Sequence, residues 1–270
     1  MPELPEVETT RLGLVARIVG RRVREVVVRE SRLRWPVPRD LASRLRGKVV
    51  LSIRRRGKYL LLDCGTGHLL VHLGMSGRLT VVTPERPLRR HDHVDIVFEG
   101  GDVVRFNDPR RFGAMLWVRD PERHALLKGL GVEPFDEAFS GELLHRLSRG
   151  RRVPVKQFVM DAHIVTGIGN IYANEALFAA GIHPARAAGR LSRKRHDRLA
   201  LAIRHTLQRA LAAGGSTLRD FVASDGRPGY FQLEYAVYGR EGEPCPTCAA
   251  PVRALRHGGR STFYCAACQR

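Results

Sequence analysis

The stretch YLLLDCGTGHLLVHL, from Tyr59 to Leu73, holds two short apolar runs parted by a turn with two glycines. Each run is too short for a helix and suits a strand buried in a sheet. The same punctuation recurs on both sides. Val23–Arg29, Val49–Arg54, Leu79–Val82, His93–Phe98, Val103–Phe106 and Phe112–Val118 all read as strands between turn residues. So many strands without intervening helices predict a β-sandwich or a barrel. Ahead of them, Val7, Leu14, Val15 and Ile18 repeat at helical spacing within Pro5–Val19, so one helix should pack on the β layer.

Beyond Leu130 the pattern changes. Gly131–Pro134 and the basic Arg149–Arg152 read as parts of a linker. Helices are expected over Val155–Asp161, over Asn170–Ala180 closed by Gly181, and over Ser192–Ala213 closed by Gly214-Gly215. Ser216–Phe231, rich in Gly, Ser and Asp, reads as a loop. The expected fold class is α+β. The expected divisions are a β domain over 1–131, a linker over 132–152, a helical domain with its loop over 153–231, and a terminal module over 236–270.

The formal charge is +19 and the sequence pI about 10.9, a balance that suits a polyanionic partner, nucleic acid first. A bias toward arginine explains part of it: only five of the 46 basic residues are lysine, namely Lys48, Lys58, Lys128, Lys156 and Lys194. Lysine can give up its proton in a site and arginine does not, which draws attention to those five. No apolar run reaches membrane-spanning length and the N-terminus is acidic, so the chain is expected in the cytoplasm, without a membrane partner.

Cys245-x-x-Cys248 and Cys265-x-x-Cys268, with 16 residues between the pairs, have the spacing of a four-thiolate zinc site. Four ligands close the coordination sphere, so one structural Zn2+ and no catalytic metal are expected. Cys64 ends an apolar strand and is expected in the core. Between the cysteine pairs, His257–Thr262 reads as a turn before a strand over Phe263–Cys265, with Arg260 at the tip.

Met1-Pro2-Glu3 admits two readings. Pro2, Pro5 and the acidic Glu3, Glu6 and Glu8 suit the start of a helix. Removal of Met1 would also expose a secondary amine beside a carboxylate, an arrangement able to attack a sugar carbon and form an iminium.

PELPEVE from Pro2, KYLLL from Lys58, HLGMSG from His72, RHDHVD from Arg90, NDPRRFG from Asn107, GIGNIYANEALF from Gly167, SDGRPGYF from Ser224 and the four-cysteine module together resemble the bacterial formamidopyrimidine-DNA glycosylases. The resemblance runs essentially from end to end. It implies an N-terminal two-layer β-sandwich with flanking helices, a helix-two-turn-helix domain and a C-terminal zinc-finger β-hairpin. The implied activity is removal of oxidised purines such as 8-oxoguanine from duplex DNA, then strand cleavage by β- and δ-elimination, by a monomer.

By the same resemblance Pro2 is the nucleophile, Glu3 the acid, Lys58 the proton donor for β-elimination, and Arg260 is associated with δ-elimination. Glu6 supports the site. His91, Arg110, Arg151, Asn170 and Tyr238 bind DNA, and Met75, Arg110 and Phe112 enter the duplex where the damaged nucleotide has left it. For Asn170, the Gly167–Gly169 turn before a helix is independent support for phosphate binding, though a helix cap fits too. Two rivals are an endonuclease VIII-type enzyme for oxidised pyrimidines and a non-catalytic zinc-containing DNA-binding protein.

Overall fold

The computed structural model describes residues 1–215 and 235–270. These fall into two compact units, one of residues 1–128 with 213–215 and the other of 129–212 with 235–270.

The first unit opens with α1 (Leu4–Ile18), whose Leu4, Val7, Leu14 and Ile18 are buried at helical spacing. Two four-stranded antiparallel sheets follow. One has the order β1 (Val23–Val28), β6 (Asp92–Phe98), β7 (Val103–Asn107), β5 (Arg78–Val82). The other has the order β2 (Ser52–Arg56), β3 (Tyr59–Asp63), β4 (His68–His72), β8 (Ala114–Val118).

Alternation sets what faces inward. Leu60 pairs with Val71 and Leu62 with Leu69. These four join Val94, Ile96, Val104 and Phe106 of the opposing sheet in one core, which α1 and the short α2 (Leu41–Leu45) complete. The two-layer sandwich is therefore as expected, and a barrel is not formed. All eight strands lie where the sequence puts them, to within three residues at their ends.

The second unit contains α3 (Gly141–Ser148), α4 (Val155–Met160), α5 (Asn170–Ala179), a 3-10 turn (Ala188–Arg190) and α6 (Arg193–Ala212), then the hairpin β9 (Arg253–His257) and β10 (Arg260–Tyr264). Two expectations need correction here. The stretch 132–152 is not simply a linker, because α3 lies within it. The Leu143 N–H donates to Ser140 Oγ at 3.1 Å, capping the helix, and Leu144 is fully buried as α3 packs on α6. Gly141 allows that approach, since a Cβ there would stand 2.4 Å from the Asp197 backbone. The hairpin turn is also tighter than expected. Only Gly258 and Gly259 form it, with φ +55° and +75°, and the strand begins at Arg260.

The expected loop Ser216–Phe231 and its SDGRPGYF motif lie outside the described residues. Among those that are described, no helix is long and apolar enough to cross a membrane.

If α3 is part of the helical core, Leu144→Ala should destabilise the second unit by roughly 2–4 kcal/mol, read as an earlier urea transition. A loss under about 1 kcal/mol would return the segment to the status of a linker.

Candidate nucleic-acid site and zinc centre

Pro2 and Glu3 are both buried, immediately before α1. Glu3 is the N-cap residue and forms a capping box with Glu6; its N–H donates to Glu6 Oε2 at 2.8 Å. The helix-start reading of these residues is thus realised, and the same contact fixes Glu3 one residue from the Pro2 nitrogen. That nitrogen is an amide until Met1 is removed. Gly215, at φ +82°, runs so close to Glu6 that a Cβ would lie 3.3 Å from Oε1.

Lys58 sits in the two-residue turn joining β2 to β3, with Gly57 at φ +58° between the paired Arg56 and Tyr59. Tyr59 pairs with His72, their ring centroids 4.7 Å apart. Burial, then the nearby charges of Lys58 and Arg34, pushes the His72 imidazole down to about 4. It is neutral at pH 7, so its Nδ1 can accept the Gly74 N–H at 3.1 Å. His72 therefore connects the neighbourhood of Lys58 to the turn that carries Met75.

That turn spans Leu73–Gly77, closed by the Gly77 N–H donating to the Leu73 oxygen at 2.8 Å. Met75 is 37% exposed between buried neighbours, and Phe112 is 42% exposed at the end of the exposed run Pro109–Phe112. The Arg110 guanidinium stands over the Phe112 ring at 4.8 Å. A Cβ on Gly74, at φ +64°, would come within 2.4 Å of the Phe112 backbone, so the two loops touch.

Asp108, fully buried, binds both. Its Oδ1 accepts from Ser76 Oγ at 2.9 Å and its Oδ2 from the Gly113 N–H at 2.8 Å. The Arg110 N–H reaches Ser76 Oγ at 3.3 Å. The Asp108 N–H donates to the oxygen of His91, a residue at φ +76°. Met75, His91, Arg110 and Phe112 are thus held as one group. Neither Asp108 nor His72 was singled out from the sequence, although both lie inside the quoted motifs; Asp108 meets partners from 5 to 32 positions away and His72 stacks on Tyr59 across a strand pair, so nothing local marks either.

In the second unit, Asn170 begins α5 behind Gly169. Its Nδ2 donates to the Ser261 oxygen at 3.1 Å, while its buried Oδ1 has no hydrogen-bond partner among the described residues. Lys156 is buried and reaches the same strand, Nζ donating to the Ser261 oxygen at 2.9 Å and to Thr262 Oγ1 at 2.7 Å. Asn174 Oδ1 accepts the Phe263 N–H at 2.8 Å. These bonds fasten the hairpin that bears the exposed Arg260 onto α4 and α5.

Tyr238 packs edge-on to Phe263 at 5.3 Å, and its N–H, with those of Ala236 and Val237, donates to the Glu175 carboxylate. Asn170, Tyr238 and Arg260 therefore share one scaffold. Arg151 does not join it by any of these bonds; it is exposed, with its guanidinium 5.7 Å over the Phe158 ring.

The four expected zinc ligands converge. Cys245 Sγ lies 3.9 Å from Cys268 Sγ and Cys248 Sγ lies 3.5 Å from Cys265 Sγ, with all four sulfurs within 4.8 Å of one another. A tetrahedron of Zn–S bonds near 2.3 Å has edges of about 3.8 Å, so the sulfurs fit zinc closely. None of the four is in a disulfide. Cys64 is buried as expected, and burial pushes its thiol up to about 11.

Three family models match the chain. They are the formamidopyrimidine-DNA glycosylase N-terminal domain over residues 1–115, the H2TH domain of the same glycosylase over 130–222, and a zinc finger found in FPG and IleRS over 242–270. A curated formamidopyrimidine-DNA glycosylase from Acidithiobacillus ferrooxidans is 57% identical, and one from Methylococcus capsulatus is 56% identical, each over the whole of both chains. Among solved structures, Thermus thermophilus MutM (Fpg) superposes with a TM-score of 0.89 at 40% identity, covering 99% of this chain and 98% of that one. A variant of Lactococcus lactis Fpg with Fapy-dG-containing DNA gives 0.92 at 34% identity, with both chains fully covered. The fold and the modules define a DNA glycosylase with a terminal zinc finger. The chain belongs to the formamidopyrimidine-DNA glycosylase family.

Two outcomes follow for this region. Well above pH 6.5, the ordinary value for histidine, His72 is neutral both folded and unfolded and contributes no pH dependence. As pH falls toward 4 only the unfolded chain takes the proton, so stability drops, by about 2 kcal/mol between pH 7 and 5. His72→Gln should remove that portion of the difference in urea midpoints; an unchanged pH slope would show that His72 titrates normally. Separately, Cys248→Ser or a strong chelator should weaken DNA binding and strand cleavage while the β-sandwich keeps its circular dichroism. Loss of the β signal on chelation would contradict the separation of the zinc module from the sandwich core.

Proposed function

We propose that this protein is a bifunctional base-excision repair enzyme that removes oxidised purines from duplex DNA and then cleaves the strand at the resulting abasic site. One observation carries the reading: a formamidopyrimidine-DNA glycosylase 57% identical over the whole of both chains, with two of the three modules matching models of that family and the third a zinc finger found in it. Solved relatives from Lactococcus lactis hold Fapy-dG-containing and abasic-site-containing DNA.

In this reading the free secondary amine of Pro2 attacks the anomeric carbon of the damaged nucleotide. The bond to the base breaks with its electron pair leaving on the base, and Glu3 supplies the proton that lets the sugar ring open to an iminium. The burial of Glu3 and its fixed place in the capping box support this, because a placed acid need not be reorganised. Lys58 serves as proton donor in β-elimination. Arg260 stays protonated and acts as a clamp on the phosphate leaving in δ-elimination.

Met75, Arg110 and Phe112 form the wedge. Their exposure and joint anchorage support it, since an apolar group with a cation can fill the gap left by an extruded nucleotide. His91 and Arg151 bind the nucleic acid, and Asn170 and Tyr238 lie at the phosphates flanking the lesion, Asn170 from a helix N-terminus. The zinc is structural: four thiolates close its coordination and keep the Arg260 hairpin in shape. The proposed divisions are the β-sandwich over 1–131, the helical domain extended forward to include α3, and the zinc finger over 236–270. The enzyme is expected to work as a monomer on cytoplasmic DNA.

An endonuclease VIII-type preference is the second reading. Lactococcus lactis Fpg has been solved with oxidised-pyrimidine-containing DNA, so the ratio of rates decides. Borohydride trapping of Met1-processed protein on an 8-oxoguanine:cytosine duplex should give a DNA adduct that maps to Pro2. Acetylating the terminal amine should abolish trapping and cutting. Normal cutting by the acetylated protein would exclude Pro2 as nucleophile, and faster cutting of thymine glycol would overturn the purine preference.

A further inference from the structure

The outward side of the β5–β7 edge carries a cavity of about 440 Å³ that the proposed chemistry does not use. Its floor comes from alternate residues of paired strands: Arg78 opposite Asn107, and Thr80 opposite Arg105. Its wall is the segment before β6, which contributes Arg86, Arg89 and Arg90. We infer that this cavity is a second DNA-backbone site, which takes phosphates of the bound duplex away from the lesion. The inference rests on the reading that the partner is duplex DNA.

The wall is built rather than loose. Arg105, buried in the floor, donates from Nη1 to the Arg86 oxygen at 3.0 Å and pairs with Asp95 at 2.9 Å. Asn107 Nδ2 donates to the Arg90 oxygen at 3.1 Å, and the Arg89 N–H donates to Asp92 Oδ2 at 2.8 Å. These bonds take hold of the backbone, and they leave the side chains of Arg86, Arg89 and Arg90 exposed.

The two aspartates beside the floor, Asp92 and Asp95, are already occupied. Asp92 also accepts from Asn107 Nδ2 at 2.8 Å and lies 3.7 Å from Arg105, while Asp95 is shared between Arg29 and Arg105. Five arginines therefore line a cavity with one aspartate, itself fully engaged, on its wall. Such a field favours a phosphate diester, which guanidinium groups bind through paired N–H donors.

Position selects the occupant. Arg90 directly precedes His91, whose oxygen is bonded to Asp108 in the scaffold of the proposed wedge. A duplex held at His91 is thus the nearest source of phosphates for the cavity, and added contacts there lengthen the electrostatic track.

The test is the salt dependence of binding by the full-length, zinc-loaded protein, on undamaged and on 8-oxoguanine duplexes. The pair Arg86→Ala with Arg89→Ala should flatten the slope of log K against log salt by between about 1 and 2, on both duplexes alike. The pair Arg86→Lys with Arg89→Lys should retain most of the slope. Arg119→Ala with Arg123→Ala, the same loss of charge elsewhere on the unit, should leave it unchanged. An unchanged slope in the first pair, or an equal fall in the Arg119/Arg123 control, overturns the inference. Cleavage is read in the same samples: wild-type protein that binds but does not cut would overturn the catalytic reading while the salt slopes still decide this one.

Discussion

A carboxylate removed from water costs several kcal/mol unless its oxygens are met by donors, and the Asp108 side chain is fully buried. The placement of the proposed wedge depends on how that demand is satisfied. Ser76 and Gly113 meet the two oxygens, so the turn that presents Met75 and the loop that presents Arg110 and Phe112 cannot move independently. His93 Nε2 meets the Asp108 backbone oxygen at 2.8 Å, which ties the same residue to β6. The apolar core supplies cohesion, but it does not specify where these two exposed apolar side chains stand.

The second unit solves the same problem with other charges. Lys156 and Glu175 are both buried, and both spend their hydrogen bonds on backbone or on a neighbouring hydroxyl. Burial raises the Glu175 carboxyl even though three amides oppose it. Lys156 fixes one strand of the zinc hairpin, and Glu175 fixes the segment leading to Tyr238. In both units a desolvated charge sets the path of a loop, and the exposed groups proposed to meet DNA are carried on loops so fixed.

The sandwich was legible because its strands are bounded by glycine or charge and because inward residues alternate, as Leu60 and Leu62 do. The zinc ligands were legible because their chemistry dictates spacing. Helix α3 was hidden between a Gly-Pro stretch and an arginine run, and its reason for existing is Leu144 against a helix some fifty residues later. Asp108 and His72 were hidden for a related reason. An Asp in a loop and a His at a strand end look ordinary until Gly113 or Tyr59 is brought alongside. Motif resemblance named Met75 and Phe112, but only their exposure and the contact between their loops give that naming a physical basis.

The distribution of sulfur has its own consequence. Cys64 is buried with its thiol pushed up to about 11, Met115 is buried, and four cysteines converge on one metal site. The Cys64 thiol, so placed, presents little thiolate to peroxide, and the other four would spend theirs on the metal. Met75, by contrast, offers its thioether at the tip of an exposed turn. Conversion of that sulfur to the sulfoxide would set an S=O dipole where an apolar tip now stands. A protein built around the products of oxidation thus leaves exposed the one atom whose oxidation would blunt the proposed wedge.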